Sequence, residues 1–566
     1  MKKYLNNLFK PVNIALFFIV LFGLIVNLYS LSTVPFGFHE DEAHIGYNAY
    51  SLLLTAKDKN NVFLPLAIDQ FGDFRPSGLH FLTVPSVAVF GLTVFATRFP
   101  VAIVGVLSLI LFYFLCLEVF QSQLIAVIAA GFLAITPWQI IASRSTSESI
   151  VAQFFVILGM YFMYKFIRLR QRNLLIFAAI AFIVSFLFYH AARFFVPVIL
   201  IYFFGYILFN SKIDKKILKG FCISSAIVLI SLYLIFKFSS GTSRPIDISI
   251  FNTPATKMMI DKQVGYSAGH SLFIAKILHN EIINYPLTFL GNYFQHFDSD
   301  FLYFKGGLPP RYMVSGSGNF YLIEGLFFLV GISMIIFAVV KDWRQIFSVQ
   351  GSILVWLLIG PIPAALTFED IPHFQRSIMM LPAFVMLTAL GFYTVVNYLK
   401  DRRVKVLIIT ITALVVIFST ITFLYSYFIE GLRYQPIYRN EGEREMVNEV
   451  NNYSKQGYTV IMTEQEANRL IFHLFYDKVD PRYYQSIGSP RDKDGLEFEN
   501  LVFVDAPCPT NDPKALSHAK AKTIYVDQFD CQIPKNYMKI MEINRPDGEL
   551  MFQLDKLNPN YVFPSK

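Results

Sequence analysis

The chain has 566 residues, of which 55% are hydrophobic and only 16% carry a charge. Soluble domains carry about 25% charged residues, so this composition excludes a soluble globular protein and indicates a chain that crosses a membrane many times. The net charge of +8 does not indicate nucleic-acid binding, because lysines and arginines cluster in short stretches between apolar segments, as membrane topology requires.

The first long apolar segment, residues 12–31, follows Lys2, Lys3 and Lys10 and is long enough to span a bilayer. It lacks a clear cleavage site, so we interpret it as a retained anchor with its N-terminus in the cytoplasm. Further segments raise the prediction to about eleven transmembrane helices. They lie near residues 100–119, 124–141, 150–166, 174–189, 195–209, 221–238, 320–340, 346–366, 378–399 and 404–428.

Basic clusters near residues 165–172, 212–219, 341–344 and 400–405 test this topology. All of them fall on the side of the N-terminus, as the positive-inside rule demands. Residues 79–95 are also apolar enough to cross, but a crossing there would put every basic cluster outside. We therefore predict an interfacial or re-entrant helix in the first outer loop. A fused pair of poorly separated spans is the alternative.

The predicted organisation has two parts. Residues 1–430 form an α-helical polytopic membrane domain, with a first outer loop at 33–98 and a long outer loop at 239–319. Residues 431–566 alternate short helical and strand patterns, which predicts a small extracytoplasmic α/β domain. Cys508 and Cys531 lie in this tail and would form a disulfide outside the cytoplasm; two free thiols are the alternative.

Three consecutive carboxylates follow the first span, at Glu40, Asp41 and Glu42. Such a cluster is costly inside a bilayer, so it lies in water or in a hydrated cavity at the membrane surface. Arg75 occurs later in the same predicted outer loop. A solvated loop is the structural alternative to a functional site.

Other polar residues of the predicted outer segments complete a candidate substrate site. Arg144 and Glu148 are four residues apart, a spacing that places them on one helical face, where a structural ion pair is the alternative. Arginines at helix ends also serve as interfacial anchors, and histidines there form structural hydrogen bonds. The further candidates are His190, Arg193, Arg311, His373 and Arg376.

No cofactor is indicated with certainty. His39 and His44 flank the carboxylates and could bind a divalent metal, although they form no HExxH or similar pattern. No nucleotide-binding motif is present in the sequence.

Carboxylates and arginines on one surface suit an anionic lipid-linked substrate. Arginines bind phosphate through charge-assisted, often bidentate hydrogen bonds. A nearby carboxylate can take a proton from an acceptor hydroxyl, which is general-base catalysis. The combination predicts glycosyl transfer from a polyprenyl-phosphate sugar.

At these residues the chain resembles the membrane glycosyltransferases of the GT-C superfamily, in particular the bacterial branch related to protein O-mannosyltransferases and the lipid A aminoarabinose transferase. Asp41-Glu42-Ala43 resembles the acidic first-loop motif of that family, and Arg75-Pro76 its later basic-residue–proline element. The stretch from Ser143 to Glu148 is similar to the second-loop motif, with Glu148 where many relatives have aspartate.

The resemblance implies that Asp41 is the general base of an inverting transfer and that Glu42 orients the base or the acceptor. It implies Arg75, Arg193 and Arg376 as phosphate contacts. The expected partners are a polyprenyl-phosphate sugar donor, a protein or glycan acceptor and membrane lipid, with no nucleic acid. We expect a multi-pass plasma-membrane protein with an extracytoplasmic C-terminal domain. A flippase for a lipid-linked glycan and a non-catalytic scaffold are the alternatives.

Overall fold

The computed structural model describes residues 11–209, 215–238, 248–252, 254–266, 271–465, 467–490 and 494–559. Lys2, Lys3, Lys10 and Lys212, on which the topology prediction draws, lie outside the described residues, as do parts of the 239–319 loop. The chain forms two compact units. The first unit comprises Met1–Tyr29, Phe74–Leu79 and Val101–Tyr427, and the second comprises Ser30–Asp73, His80–Pro100 and Phe428–Lys566.

Long apolar helices dominate the chain up to residue 434. Among the described residues, eight helices are long and apolar enough to cross a membrane, or nine if one bent pair counts as a single span. In chain order the helices are α1 (Pro11–Leu28), α2 (Glu40–Thr55), α3 (Gly78–Phe90), α4 (Val94–Phe120), α5 (Gln123–Ile135), α6 (Pro137–Arg144), α7 (Glu148–Leu169), α8 (Asn173–Ser185), α9 (His190–Phe209), α10 (Lys215–Phe238), α11 (Pro254–Gly265), α12 (Leu272–Leu278), α13 (Glu281–Gln295), α14 (Leu322–Lys341), α15 (Val349–Ile359), α16 (Ile362–Ala365), α17 (Leu381–Tyr398), α18 (Arg402–Tyr425) and α19 (Gly431–Tyr434).

Each of the eleven predicted spans coincides with a helix or a broken helix pair. The segments predicted at 174–189 and 346–366 are the two shortest, as α8 and the pair α15–α16. The segment predicted as interfacial or re-entrant, residues 79–95, contains α3 and the start of α4. A helical polytopic fold is therefore confirmed.

The bent pair α5–α6 shows how local sequence shapes the first unit. Pro137 has no N–H to continue the helix that ends at Ile135, but it suits the first position of a new helix. The two helices meet at 58°. All eight residues of α6 are buried, and the helix carries Arg144 at its last position.

The second unit contains a mixed six-stranded sheet in the order β4-β5-β3-β6-β8-β7. β3 is parallel to β5 and β6, and the other pairings are antiparallel. The strands are β3 (Thr459–Thr463), β4 (Leu496–Phe498), β5 (Leu501–Val504), β6 (Thr523–Gln528), β7 (Tyr537–Asn544) and β8 (Leu550–Leu557); two further short strands lie earlier in the chain, β1 (Ala67–Gln70) and β2 (Asp73–Pro76).

Helices cover both faces of this sheet. They are α20 (Glu443–Lys455), α21 (Arg469–Tyr476), α22 (Pro481–Ser486) and α23 (Pro513–Ser517). Successive side chains of a strand point to opposite faces, so Val460 packs in the core with α20 and α21, whereas Ile461 packs with Ala515 of α23. Every residue of β3 is buried, as expected for a strand covered on both sides. The prediction of a small C-terminal α/β domain is confirmed.

The hydrophobic core that contains Val460 also includes residues from the N-terminal part of the second unit. Phe38, Ala43 and Tyr47, at and in α2, belong to the same cluster as α20 and α21. The ring of Phe38 lies 4.7 Å from that of Phe475. Helix α2, which carries the acidic residues, is therefore packed on the C-terminal domain.

Cys508 and Cys531 form a disulfide, so the first of the two predicted alternatives is present. It joins the loops that follow β5 and β6. Nearby, the side-chain amide of Gln553 donates to the Cys531 carbonyl at 2.8 Å. These contacts tie the two loops to each other and to β8.

Two carboxyl groups are buried side by side near this disulfide. Asp527 of β6 accepts a hydrogen bond from the Thr510 backbone N–H at 3.1 Å, and Asp555 lies on the adjacent antiparallel strand β8. Both residues are fully buried. Burial raises the pKa of Asp527 to about 6 and that of Asp555, which also faces Asp527, to about 7.

We therefore expect the second unit to lose stability as the pH rises from about 4 to about 7. In this window both carboxyls are ionised in the unfolded chain but protonated in the folded chain. Their contribution to the free energy of unfolding is therefore complete below the pKa values of the unfolded chain, and it is lost as the pH rises through the pKa values of the folded chain. Asp555→Asn should raise the unfolding temperature of the full chain at pH 8 and change it little at pH 4. Thermal unfolding in detergent measures this, with exposed Asp505→Asn as the control. An Asp555→Asn chain no more stable at pH 8 than the wild type would contradict it.

Candidate functional site

The acidic residues occupy the first turn of α2. His39 is the N-cap: its Nδ1 accepts from the Asp41 N–H at 3.1 Å, and its own N–H donates to the Glu42 carboxylate at 3.3 Å. This reciprocal arrangement is a capping box. Acidic side chains in a first helical turn also interact favourably with the helix dipole. The three consecutive carboxylates are thus part of the signal that starts the helix.

Glu42 is buried in an ion-pair cluster. Arg98 donates to it in a bidentate manner, from Nε to Oε1 at 3.0 Å and from a terminal nitrogen to Oε2 at 3.0 Å. Arg439 adds a third hydrogen bond, to Oε2 at 2.7 Å. The Glu42 side chain is 3% exposed. The Glu42 carboxylate is thus enclosed by two guanidinium groups.

Asp41 has different surroundings. Its carboxylate accepts from the side-chain amide of Gln70, and its Oδ2 lies 3.7 Å from His39 Nδ1. The Asp41 side chain is 17% exposed. Of the two residues predicted as catalytic, Asp41 therefore has the more exposed side chain.

The flanking histidines have protein partners in the second unit. His39 caps the helix, and a ring nitrogen of His44 lies 3.0 Å from the Asp69 carbonyl oxygen. Among the described residues, no group of three or more His, Cys, Asp or Glu side chains is arranged to hold a metal ion.

In the first unit, three arginines predicted as phosphate contacts lie near two neighbouring side chains, Tyr189 and His190. We call Arg75, Arg193 and Arg376 the arginine cluster. All three lie within electrostatic range of His190. Arg75 and Arg376 also act on Tyr189, together with Glu148 and Tyr312. Residues from five separate parts of the sequence are thus brought near one another.

Two members of the arginine cluster are held by short-range contacts. Arg193, in the first turn of α9, donates from Nε to the Phe186 carbonyl at 3.0 Å and lies 3.2 Å from His190 Nδ1. Arg376 donates to the Thr367 hydroxyl at 2.8 Å and to the Glu369 carbonyl at 3.2 Å. These bonds hold the two guanidinium groups in place.

The loop that carries His373 and Arg376 is anchored on both sides. Trp138 of α6 donates to the Phe374 carbonyl at 3.1 Å, and Gln375 donates to the Ser147 hydroxyl at 2.9 Å. His373 accepts at Nδ1 from the Arg376 N–H at 3.2 Å, which tightens the turn. The structure thus gives His373 a backbone-positioning contact.

His296 also holds this loop. Its Nε2 accepts from the His373 N–H at 3.0 Å, while Nδ1 faces the Asn292 carbonyl at 2.8 Å. These partners require a neutral ring with the proton on Nδ1. Burial is consistent with this, since it lowers the pKa of His296 to about 4.

The remaining candidates occupy different settings. Arg144 is fully buried, and its guanidinium donates to the carbonyls of Val26 and Tyr29 at the end of α1, the latter at 2.9 Å. Such a cation satisfies helix-terminal carbonyls. Glu148 begins α7 near Tyr189. Arg311 precedes Tyr312, whose ring is stacked on Phe374 at 4.8 Å.

The sequence analysis did not single out several residues that contact the carboxylates of α2 or the loop that carries His373 and Arg376. Arg98 and Arg439, the partners of Glu42, were not proposed as site residues. Gln70 and His296 carried no motif at all. A buried carboxylate at position 42 requires a cationic partner, but nothing in the sequence indicates which of its arginines provides it.

The class of fold follows from the comparisons with known proteins. Residues 75–240 match the family model described as dolichyl-phosphate-mannose-protein mannosyltransferase. Together with the long apolar helices, this match indicates a multi-pass membrane protein.

Particular solved structures share this fold. ArnT from Cupriavidus metallidurans, bound to undecaprenyl phosphate, aligns with a TM-score of 0.52 at 12% identity over 95% of this chain and 97% of ArnT. The predicted resemblance to GT-C proteins is thereby confirmed at the level of the fold.

Two other solved structures align with lower TM-scores. The oligosaccharyltransferase AglB from Archaeoglobus fulgidus, in complex with an inhibitory peptide and a dolichol-phosphate, aligns with a TM-score of 0.47 at 15% identity over 82% of this chain and 63% of AglB. The chain therefore spans less than two thirds of the length of AglB. The S. cerevisiae protein O-mannosyltransferase Pmt1–Pmt2 complex bound to the sugar donor aligns over 40% of this chain and 33% of that chain, with a TM-score of 0.32 and 16% identity. A search among curated proteins gave no match.

Proposed function

We propose that this protein is a glycosyltransferase that moves a sugar from a polyprenyl-phosphate donor to an acceptor hydroxyl on the outer face of the plasma membrane. The main support for this proposal is the arginine cluster near His190 and Tyr189 in a protein with the GT-C fold. The matched family model names a dolichyl-phosphate-mannose donor, and ArnT is bound to undecaprenyl phosphate. Both are polyprenyl-phosphate compounds.

The arginine cluster provides the phosphate-binding part of the proposal. Guanidinium groups form charge-assisted hydrogen bonds with phosphate oxygens, and each such bond contributes about 1.5–3 kcal/mol. Because Arg193 and Arg376 are already held by protein carbonyls, little side-chain entropy is lost when the lipid phosphate binds. Glu148, Arg311, His190 and His373 are proposed to contact the sugar or the rest of the headgroup.

Asp41 provides the base. In the proposed step its carboxylate removes the proton from the acceptor hydroxyl, and the hydroxyl oxygen forms a bond to the anomeric carbon from the face opposite the phosphate. The bond between that carbon and the phosphate oxygen breaks, and polyprenyl phosphate leaves with the bonding electrons. The arginines stabilise its charge. A single displacement inverts the anomeric configuration.

The outer-face assignment has two supports besides the basic clusters. The C-terminal domain contains a disulfide, which is typical of oxidising compartments outside the cytoplasm. The acidic motif packs in the core of that same domain, so both belong on one side of the membrane. The N-terminus would then lie in the cytoplasm.

Binding of undecaprenyl phosphate to purified full-length protein tests the phosphate site. Arg376→Gln is expected to raise the Kd by about 10- to 100-fold, since one charge-assisted contact is lost. Undecaprenol, which lacks the phosphate, should bind weakly to both proteins. The matched control is Arg168→Gln, which removes an exposed arginine paired with Glu118 at 2.6 Å. An unchanged Kd for Arg376→Gln with an intact unfolding temperature would refute the phosphate role.

Transfer itself is measured with radiolabelled dolichyl-phosphate mannose as the donor and envelope extract of cells lacking the protein as the acceptor pool. Mannose appearing in acceptor, with release of the lipid phosphate, supports a transferase. Movement of the intact lipid across a vesicle membrane without cleavage supports the flippase alternative instead.

A further inference from the structure

We propose that Arg439 and Asn440, at the start of the C-terminal chain, position the acidic motif for catalysis, so that the C-terminal domain controls the reactivity of Asp41 without touching the substrate. Arg439 is on this view a positioning residue rather than a catalytic one. The inference rests on the proposed function, but its structural part can be tested separately.

The first support is the contact between Arg439 and Glu42. The guanidinium donates to Glu42 Oε2 at 2.7 Å, across 397 positions of sequence. Both residues are almost fully buried. Arg98 occupies the other side of the same carboxylate. Glu42 is thus fixed by one arginine from the predicted first loop and one from the C-terminal chain.

The backbone in front of α2 is shaped to accept Arg439. Gly37 has a φ of +87°, and a Cβ built on it would lie 2.6 Å from both the Cβ and the carbonyl oxygen of Arg439. Any side chain at position 37 would therefore collide with this residue and strain the backbone. The close approach of the two segments is consequently a requirement of the fold and does not depend on one side-chain rotamer.

Hydrogen bonds on either side extend this contact into a continuous interface. Asn440 adopts a left-handed conformation, with φ at 53°, and its Oδ1 accepts from the Glu40 N–H at 3.2 Å. Gln435 Oε1 accepts from the Phe36 N–H at 3.1 Å. The segment 435–440 thus satisfies backbone donors on both sides of the N-cap of α2.

The Glu40 carboxylate is also held by the C-terminal domain. It accepts from the backbone N–H of Asn468, just before α21, at 2.8 Å. Both neighbours of Asp41 in sequence are therefore fixed on the C-terminal chain. The position of the Asp41 backbone between them is set by those contacts. A displacement of about 1 Å in a reacting group can reduce a rate about 100-fold.

Kinetics of the full-length protein test the positioning role. With the labelled dolichyl-phosphate mannose assay, Arg439→Gln is expected to reduce kcat by about 10- to 100-fold and to leave the KM for the lipid donor nearly unchanged. Arg439→Lys should recover part of kcat, because an ammonium can still pair with Glu42. Asn440→Ala, a milder change, should lower kcat several-fold. The matched control is Arg545→Gln, which removes a local pair with Asp547 at 3.2 Å in the same domain.

Amide hydrogen exchange gives a readout that does not depend on the donor. Arg439→Gln should accelerate exchange in the first turn of α2 by about tenfold or more, Arg439→Lys should reduce that effect, and Arg545→Gln should leave it unchanged. If Arg439→Gln changes neither exchange at residues 40–44 nor kcat, the inference is wrong. Exchange can accelerate as expected while the wild-type protein shows no transfer or Asp41→Asn remains fully active. In that case the proposed function is wrong, but the role of Arg439 in holding the first turn of α2 is still supported.

Discussion

Asp41→Asn is expected to reduce sugar transfer by about 10²- to 10⁴-fold, the range that general-base catalysis contributes. Asparagine is nearly isosteric and keeps an oxygen that can accept from Gln70, so the local fold should persist. It cannot take a proton from an acceptor hydroxyl. The measurement is the initial rate of transfer from labelled dolichyl-phosphate mannose, with binding of undecaprenyl phosphate measured in parallel.

Lipid binding should stay within a few-fold of the wild type, since the proposed phosphate contacts are arginines elsewhere in the chain. Glu40→Gln is the matched control: it neutralises the adjacent carboxylate, yet the amide oxygen can still accept from the Asn468 N–H. Equal transfer rates for Asp41→Asn and wild type would remove Asp41 from the base role. A loss in Glu40→Gln as large as that in Asp41→Asn would point to the charge of the motif as a whole.

Glu42→Gln should have the largest effect on stability. The substitution leaves the guanidinium groups of Arg98 and Arg439 buried without their shared counter-charge. Removing one partner of a buried ion pair destabilises a fold by about 3–5 kcal/mol. For a unit of this size we expect the unfolding temperature to fall by about 10 °C. Thermal unfolding of the full-length protein in detergent provides the measurement.

A double variant separates charge burial from lost packing. In the Glu42→Gln background, Arg439→Gln removes one of the uncompensated cations, so the two substitutions should destabilise less together than the sum of their separate effects. Glu497→Gln, at an exposed carboxylate 3.0 Å from His518, serves as the control. Strict additivity of Glu42→Gln and Arg439→Gln would show that the pair is not energetically coupled.

The apolar helices were predictable because their signal is local, although among the described residues only eight or nine of them are long and apolar enough to cross a membrane. Each of the eleven apolar runs appears as a helix or a broken pair, since a backbone in hydrocarbon must satisfy its hydrogen bonds within the segment. The central strands β3, β5 and β6 were recognisable for the same reason, as short apolar runs. The edge strands β4 and β7 were not predicted, because their exposed faces dilute the hydrophobic pattern. The strand β8 was not predicted either, because its buried polar residues Gln553 and Asp555 interrupt the apolar run.

The candidate site was only partly predictable. The sequence singled out Asp41, Arg75, Arg193 and Arg376, since acidic and basic residues are rare in so apolar a chain. The resemblance assigned the base to Asp41 and an orienting role to Glu42, and the structure separates the two carboxylates by burial: 17% against 3% side-chain exposure. The sequence analysis also treated Arg144 as a substrate contact, whereas its guanidinium donates to the carbonyls that end α1.

The amino-acid sequence by itself determined where the apolar helices and the central strands β3, β5 and β6 form and which residues carry unusual charge, because hydrophobic patterns act within a few residues. Only the tertiary structure decided that the first-loop carboxylates are held by residues near position 440, and that Glu42 rather than Asp41 is enclosed. Those outcomes depend on contacts between segments almost 400 residues apart. Their partners are selected by the packing of the whole unit, and no short stretch of sequence specifies them.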